Sequence, residues 1–334
     1  MSTFVATLTK RKTAVSTGVS LPVIVLLAAG AVFLLIGSLS SQIFAQQTVT
    51  GLADGAIFGS LALALVLIYR ATEVVNFAQG EMAMATTYFG YQLTKWGVTY
   101  WLAFCLTLAF AFVFGVLVQL LFIRPVQRKS VIAVVIVTVG LFILIDGVVT
   151  WIWGADLKFM AAPFGNNVYT VGGVAFSRLD IGVFLTCIVS MVLLWLLFQY
   201  TKLGLAMRAA ALRPASASLV GVRVDRMLAV GWGLAAVLGA VAGLMTEPKQ
   251  YVLQPPLMQP VLLYAFAAAV LGGLESPFGA VVGGLALGVF LNLTGQYVGF
   301  ASSELRLPIA FAVLLVVLVL KPTGLFGRRQ VRRV

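Results

Sequence analysis

Three acidic residues within or beside long apolar segments are the side chains best placed to do chemistry in this sequence: Asp54, Glu81 and Asp146. A carboxylate at the centre of a bilayer costs about 2.5 kcal/mol or more on insertion scales, so each must face protein, water or a partner group. Such a group either belongs to a solute or proton pathway or forms an interhelical hydrogen bond. For Asp54 and Asp146 both interpretations stay open.

Glu81 has a further interpretation, because it ends the polar segment NFAQGE, residues 76–81, in front of an apolar run. An acid in the first turn of a helix stabilises the positive end of the helix dipole. We therefore expect Glu81 to be structural rather than a substrate ligand. Asn76 and Gln79 join the three acids as candidate polar residues of a pathway within the membrane.

Motifs of the common hydrolytic chemistries are absent. The sequence contains no histidine, so it forms neither a Ser-His-Asp triad nor an H-E-x-x-H zinc site. Lys12 and Lys129, the only lysines followed by Thr or Ser, lack the preceding Gly of a phosphate-binding loop. Cys105 and Cys187 are isolated in apolar segments, so we expect no disulfide and no bound metal. Transport is favoured over catalysis, and we expect no cofactor in this chain.

The composition is that of an integral membrane protein. Hydrophobic residues make up 61% of the 334 residues, charged residues 10%, and the mean hydropathy is +1.08. Apolar runs of about 20 residues recur along the chain, which is typical of transmembrane helices rather than of barrel strands. The net charge of +12 does not indicate nucleic-acid binding, because the basic residues cluster between apolar runs and at the chain ends. The sequence predicts an all-α polytopic bundle.

About ten transmembrane helices fit the apolar runs. They fall in a membrane domain of residues 19–320, between a cytoplasmic tail of residues 1–18 and a basic cytoplasmic tail of residues 321–334. The first run also resembles a signal peptide, whose cleavage would remove one helix. The predicted spans are 19–38, 49–69, 79–94, 100–123, 131–153, 179–200, 227–245, 259–274, 277–294 and 306–320.

The distribution of basic residues predicts the orientation. With the N-terminus inside, 17 of the 22 Lys and Arg residues lie in the cytoplasm, as the positive-inside rule requires. Both termini are then cytoplasmic. The segment 201–226, which carries five basic residues and one acid, is then an inner loop.

Small residues recur at four-residue spacing in several predicted spans. In lipid, such faces let two helix backbones approach closely. Helix packing is favoured over pore lining, although one face can serve both. The glycines concerned are Gly51, Gly55, Gly59, Gly239, Gly243, Gly279 and Gly283.

Four segments together resemble the membrane permeases of branched-chain amino acid ABC importers: RATEVVNFAQGEMAMATTYFGY, AMRAAALRPASASLVGVRVDRMLAVGWGLAAVLGAVAGLM, AFAAAVLGGLESPFGAVVGGLALG and KPTGLFGRR. The resemblance runs from about Gln46 to Arg329, with Gln79 where the family carries a histidine. It implies a bacterial inner-membrane subunit that forms half of a two-subunit pore with a second, related permease. It also implies a periplasmic substrate-binding protein and two cytoplasmic ATPase subunits, which hold ATP and magnesium.

The resemblance also implies that residues 213–221 form a short coupling helix on the ATPase. A helix that leaves the membrane to dock on a soluble partner needs a charged, water-compatible face. This need would explain why so apolar a chain carries the basic segment 201–226. The family often has an acid near the start of this helix, whereas this chain has Arg213 and Pro214. A second departure is the first predicted span, which the family pattern does not include. The predicted coupling residues are Arg208, Arg213, Pro214, Ala215, Ser216, Ala217, Leu219, Gly221 and Asp225.

Three alternatives to a branched-chain amino acid importer stay open. Related permeases serve urea, short amides and other small organic solutes. A proton-coupled secondary transporter would use one of the three intramembrane acids as its proton site. A purely structural membrane subunit is the third alternative.

Overall fold

The computed structural model describes residues 41–127, 129–160, 162–165, 167–171, 174–298 and 305–327. The predicted first span at 19–38, the tail of residues 1–18 and residues 328–334 of the basic tail lie outside the described residues. The chain divides into two compact units, Met1–Ala45 and Gln46–Val334. The packing and the sites described below belong to the second unit.

The described residues form eleven α-helices and one small sheet. A π-helical turn, Gln119–Ile123, continues α3, and a 3-10 turn, Pro255–Leu257, precedes α9. The elements are α1 Ser41–Thr72, α2 Gln79–Lys95, α3 Tyr100–Val118, α4 Val131–Trp153, β1 Val168–Val171, β2 Val174–Ser177, α5 Arg178–Tyr200, α6 Lys202–Leu212, α7 Pro214–Leu219, α8 Val224–Gln250, α9 Met258–Gly272, α10 Pro277–Tyr297 and α11 Arg306–Leu320.

Each of the nine predicted spans after the first overlaps one of these helices. Seven are long and apolar enough to cross a membrane, so the chain is an all-α polytopic membrane protein. The predicted count of ten is not confirmed, since α11 has 15 residues and α2 has 17. The predicted span 227–245 was too short, because α8 continues through Pro248 to Gln250. Lys249, in the last turn of α8, forms two ion pairs within the bundle.

The loop between α4 and α5 contains the β1–β2 hairpin, in which Val168 pairs with Ser177. The part of the loop before the hairpin is bound to the end of α8. The backbone of Lys158 pairs with that of Leu253, and the Met160 amide donates to Glu247. The loop therefore packs on the bundle near these contacts.

Helix α2 lies in the centre of the bundle and packs against α3, α4, α8 and α9. Most of its side chains are buried, including Met82, Met84 and Tyr88. By contrast, α4 exposes large apolar side chains such as Ile132 and Ile143 along one face. Because apolar side chains on the outside of a membrane bundle meet lipid, α4 is a peripheral helix and α2 is a core helix.

Local sequence explains the short helices α6 and α7. The Thr201 hydroxyl accepts a hydrogen bond from the Gly204 amide at 3.0 Å and caps α6. Pro214 occupies the first turn of α7, where its missing N–H costs no hydrogen bond. Gly221, two residues after α7, has a φ of 84°, which favours glycine, so the chain can turn towards α8.

Candidate functional site

An ion cluster of Asp54, Asp180, Lys249, Thr50 and Asn292 joins four helices at one end of the bundle. The Lys249 ammonium lies 2.6 Å from Asp54 Oδ1 and 2.8 Å from Asp180 Oδ1. Thr50 donates to Asp180 Oδ2 at 3.1 Å, and Asn292 donates to Asp54 Oδ2 at 2.8 Å. The cluster therefore connects α1, α5, α8 and α10 by charge-assisted hydrogen bonds.

The charges in this cluster are largely removed from solvent. The exposed side-chain fractions are 12% for Lys249, 12% for Asp180 and 21% for Asp54. A buried ion pair of this kind is sensitive to the loss of one partner, because the remaining charge is then uncompensated. Of the two interpretations left open for Asp54, the contacts of this side chain fit the interhelical hydrogen bond.

The NFAQGE segment forms a buried polar turn that leads into α2. The Asn76 side chain accepts from the Ala78 amide at 3.1 Å and donates to Gln79 Oε1 at 3.1 Å. Gln79 in turn donates to the Ala235 carbonyl at 3.0 Å. Ala235 lies about 16 Å along α8 from its first residue, at about 1.5 Å per residue. The start of α2 is therefore inside the bundle rather than at its surface.

The first turns of α2 and α9 meet at this position. Gly80 packs so closely on α9 that an added Cβ would lie 3.0 Å from Leu262 Cβ and 3.3 Å from the Met258 carbonyl oxygen. Glu81 is fully buried in this first turn of α2, and Gln259 of α9 lies beside its carboxylate. A carboxylate here is favoured by the positive ends of two helix dipoles. Helix N-termini that meet inside a membrane bundle are also typical of substrate sites in transporters.

Asp146 lies on α4, close enough to Glu81 to interact with it electrostatically. The side chain of Asp146 is partly exposed, whereas that of Glu81 is not. The structure thus brings together Asn76, Gln79, Glu81 and Asp146 around the start of α2. Asp54 belongs to the separate ion cluster.

The predicted coupling segment contains an exposed apolar tip. Helix α7 buries Ala217, whereas Leu219 is 88% exposed and the following Val220 is 78% exposed. Leu212, just before the helix, is also exposed. Arg213, Pro214, Ala215, Ser216 and Gly221 are exposed as well. An exposed apolar group next to basic residues is typical of a protein interaction site.

Two residues of the predicted coupling set contact other parts of the chain. Arg208 donates to Gln199 at 3.3 Å, so it connects α6 back to α5. Asp225 forms an ion pair with Arg124 at 3.1 Å, which joins the start of α8 to the end of the π-helical turn. These contacts position the segment relative to the bundle.

The predicted packing glycines lie where helix backbones are close. An added Cβ on Gly51 would lie 2.7 Å from Val289 Cα, and one on Gly55 would lie 2.7 Å from Leu285 Cα, so α1 and α10 meet backbone to backbone. The neighbouring Gly59 faces Val281 at 3.3 Å.

The other four predicted glycines serve two further helix contacts. Gly239 and Gly243 of α8 face the start of α2, where an added Cβ would lie 2.9 Å from Gln79 Nε2 and 2.9 Å from the Ala83 carbonyl oxygen. Gly279 and Gly283 of α10 face Gly272 and Ala268 of α9. All seven glycines therefore lie at helix–helix contacts.

Sequence reasoning missed Asp180, Lys249, Asn292 and Glu247. Asp180 and Lys249 are near span ends, where charged residues are expected in any membrane protein. Lys249 entered only the count of basic residues from which the orientation was predicted. Their pairing depends on contacts between helices far apart in sequence. Within the residues that the structure describes, no group of three or more potential metal ligands lies together.

Comparison with known proteins agrees with this architecture. The family model described as "Branched-chain amino acid transport system / permease component" matches residues 47–318. The high-affinity branched-chain amino acid transport system permease protein LivH of Escherichia coli K12 is 29% identical over 305 residues, which are 87% of this chain and 98% of LivH. BraD of Pseudomonas aeruginosa, which has the same description, is 28% identical over 306 residues, again 87% and 98%. No solved structure matches the chain significantly.

A shorter similarity extends to a sugar permease. The xylose/arabinose import permease protein XylH of Sulfolobus acidocaldarius is 35% identical over 106 residues, which are 31% of this chain and 30% of XylH. The sequence similarity therefore extends, over about a third of the chain, to a protein named for a different class of solute.

Proposed function

Since the chain belongs to the family of permease components of branched-chain amino acid transport systems, we propose that it is the membrane-spanning subunit of an ATP-binding cassette importer. It forms half of the translocation pathway and a second, related permease forms the other half. Two cytoplasmic ATPase subunits hold ATP and magnesium, and a periplasmic protein delivers the solute. The subunit lies in a bacterial inner membrane, with ten spans and both termini in the cytoplasm.

Branched-chain amino acids are the proposed solutes, on the strength of what LivH and BraD are named for. Urea, short amides and other small organic solutes are the second choice, because the family resemblance also implies solutes of this kind. Proton-coupled transport has less support. Asp54, one of its three candidate proton sites, is already paired with Lys249 and Asn292.

The single observation that carries the importer proposal is the exposed apolar tip of the coupling segment. Leu219 and Val220 extend from the bundle beside Arg213, on a short helix of the kind that the family seats on its ATPase. Exposing them to water is unfavourable, since burial of a leucine side chain is worth about 1.5–3 kcal/mol. An ATPase groove would recover that free energy.

The test is retention of the ATPase subunits on purified permease. We expect Leu219→Ala and Arg213→Glu each to lower ATPase co-purification and substrate-stimulated ATP hydrolysis, because one removes an apolar contact and the other reverses a charge against the docking groove. Leu157→Ala, an equally large truncation of an exposed leucine in the loop between α4 and α5, is the matched control. Arg333→Glu in the basic tail controls for the charge reversal. Equal ATPase retention in all four variants would contradict this role for α7.

A further inference from the structure

A cavity of about 710 Å³ lies between α1, α5, α6, α8 and α10, apart from the start of α2 and from the ion cluster. Its walls are mainly apolar, with Leu63 and Leu67 of α1, Met191 and Phe198 of α5, and Met207 of α6. Pockets of about 300–1,000 Å³ hold ligands of drug size. The cavity is therefore large enough for a substantial apolar group.

The cavity opens sideways, towards the surface of the bundle that meets lipid. Val192 and Trp195 of α5 and Phe278 of α10 line it and are themselves exposed apolar side chains. Tryptophan is enriched where membrane helices reach the polar boundary of the bilayer. The opening thus gives access from the bilayer rather than along a water-filled path.

Two cations lie on the lining, at the end of the cavity next to the coupling segment. Arg208 donates to Gln199 through Nη1, but its buried Nε has no hydrogen-bond partner among the described residues. Arg70, at the end of α1, also lines the cavity, and Glu275 lies close enough to interact with it. The rim therefore keeps net positive charge, and the Arg208 guanidinium lies on the lining, where it can donate to an acceptor.

From these features we propose that the cavity binds an anionic phospholipid. One acyl chain fills the apolar part, and the phosphate accepts hydrogen bonds from Arg208, with Arg70 as the second cation. Basic pockets between transmembrane helices are suited to anionic lipid headgroups. Met207 and Arg208 belong to α6, which leads directly into α7, so the bound lipid supports the base of the coupling segment. The inference does not depend on which solute is transported.

The test is native mass spectrometry of the full chain, titrated with dioleoylphosphatidylglycerol or with dioleoylphosphatidylethanolamine. We expect at least tenfold tighter binding of one phosphatidylglycerol. Arg208→Gln should weaken that binding about fivefold, and Arg70→Gln with Arg208→Gln about 30-fold. Binding of phosphatidylethanolamine should weaken less, because its ammonium group offsets the charge of its phosphate. Arg223→Gln, which removes an exposed arginine away from the cavity, should stay within twofold of the unmodified chain.

A second variant tests the apolar part of the site. An added Cβ on Gly231, which lines the cavity, meets only Met207 Cε at 3.5 Å, so Gly231→Leu can fill the space. It should weaken the binding of both lipids about tenfold. Gly140→Leu is the matched control, because Gly140 lies on exposed α4 and has nothing within 4 Å.

Three outcomes would overturn the proposal. The first is equal affinity for the two lipids, and the second is equal loss of phosphatidylglycerol in the Arg208 and Arg223 variants. The third is release of the lipid when a second permease is co-expressed, which would show that protein fills the cavity. If Gly231→Leu does not fold, the comparison of phosphatidylglycerol binding by Arg208→Gln and Arg223→Gln still tests the proposal.

Discussion

Replacing Lys249 by methionine should destabilise the bundle through repulsion within the ion cluster. The carboxylate oxygens of Asp54 and Asp180 that contact the ammonium, at 2.6 and 2.8 Å, lie within about 5.4 Å of each other. Without the ammonium, two negative charges at that distance repel by about 3 kcal/mol at an effective dielectric constant of about 20. That figure agrees with the cost of about 3–5 kcal/mol for breaking a buried pair by removing one partner.

The measurement is the apparent midpoint of thermal unfolding of the purified chain in one detergent. A loss of about 3 kcal/mol corresponds to roughly 6–12 °C at about 2–4 °C per kcal/mol. The double variant Lys249→Met with Asp180→Asn should recover part of the loss, because only one carboxylate then remains. Lys95→Met removes an exposed lysine and is the matched control, expected within about 1 °C of the unmodified chain.

Two results would refute this reasoning. If Lys249→Met unfolds at the same temperature as Lys95→Met, the ion cluster does not hold the four helices together. If the double variant is less stable than Lys249→Met alone, repulsion between the carboxylates is not the cause of the loss.

Three further predictions follow from the packing around α1, α2 and α8. Glu81→Gln should insert normally and keep most transport. Its stability loss should be about 1 kcal/mol, because the helix dipoles favour a full charge at this position but do not require it. Complete loss of uptake in a well-folded, fully assembled variant would instead make Glu81 a substrate or coupling residue. Gly55→Ala should lower the midpoint of thermal unfolding markedly, since its Cβ would lie 2.7 Å from Leu285 Cα. The control variant Gly140→Ala should not lower it. Equal midpoints for the two variants would mean that α1 and α10 can separate at no cost. Asp225→Asn should lower the free energy of unfolding by no more than about 1 kcal/mol, because the ion pair with Arg124 is substantially exposed. A larger loss of stability would show that this contact fixes α8 in place.

The apolar runs were sufficient to predict where nearly all described helices lie, because a membrane span requires about 20 apolar residues in one stretch. They also placed α2, predicted at 79–94 and observed at Gln79–Lys95, but not its start in the middle of the bundle, which depends on the hydrogen bond from Gln79 to the Ala235 carbonyl. The β1–β2 hairpin was missed for a related reason. Its two four-residue strands are too short to stand out among the turn residues around them.

The candidate sites show the same division between local and long-range information. A short helix at Pro214–Leu219 could be expected from the family resemblance, and the spacing of Gly51, Gly55 and Gly59 pointed to close helix packing. Neither the ion pairs of Lys249 nor the meeting of α2 with α9 could be predicted. The Lys249–Asp54 pair and the Gly80–Leu262 contact join residues more than 150 positions apart, and the Lys249–Asp180 pair joins α8 to α5, so all three contacts are set by the arrangement of the helices.

The most direct test of the central claim is uptake of radiolabelled leucine by proteoliposomes that contain the chain, its partner permease and the two ATPase subunits, with the binding protein added outside. The proposed function predicts uptake only when ATP and magnesium are enclosed, and its loss when the ATPase subunits are omitted. Leucine uptake by this chain alone, driven by an imposed proton gradient without ATP, would contradict the claim and establish a secondary transporter.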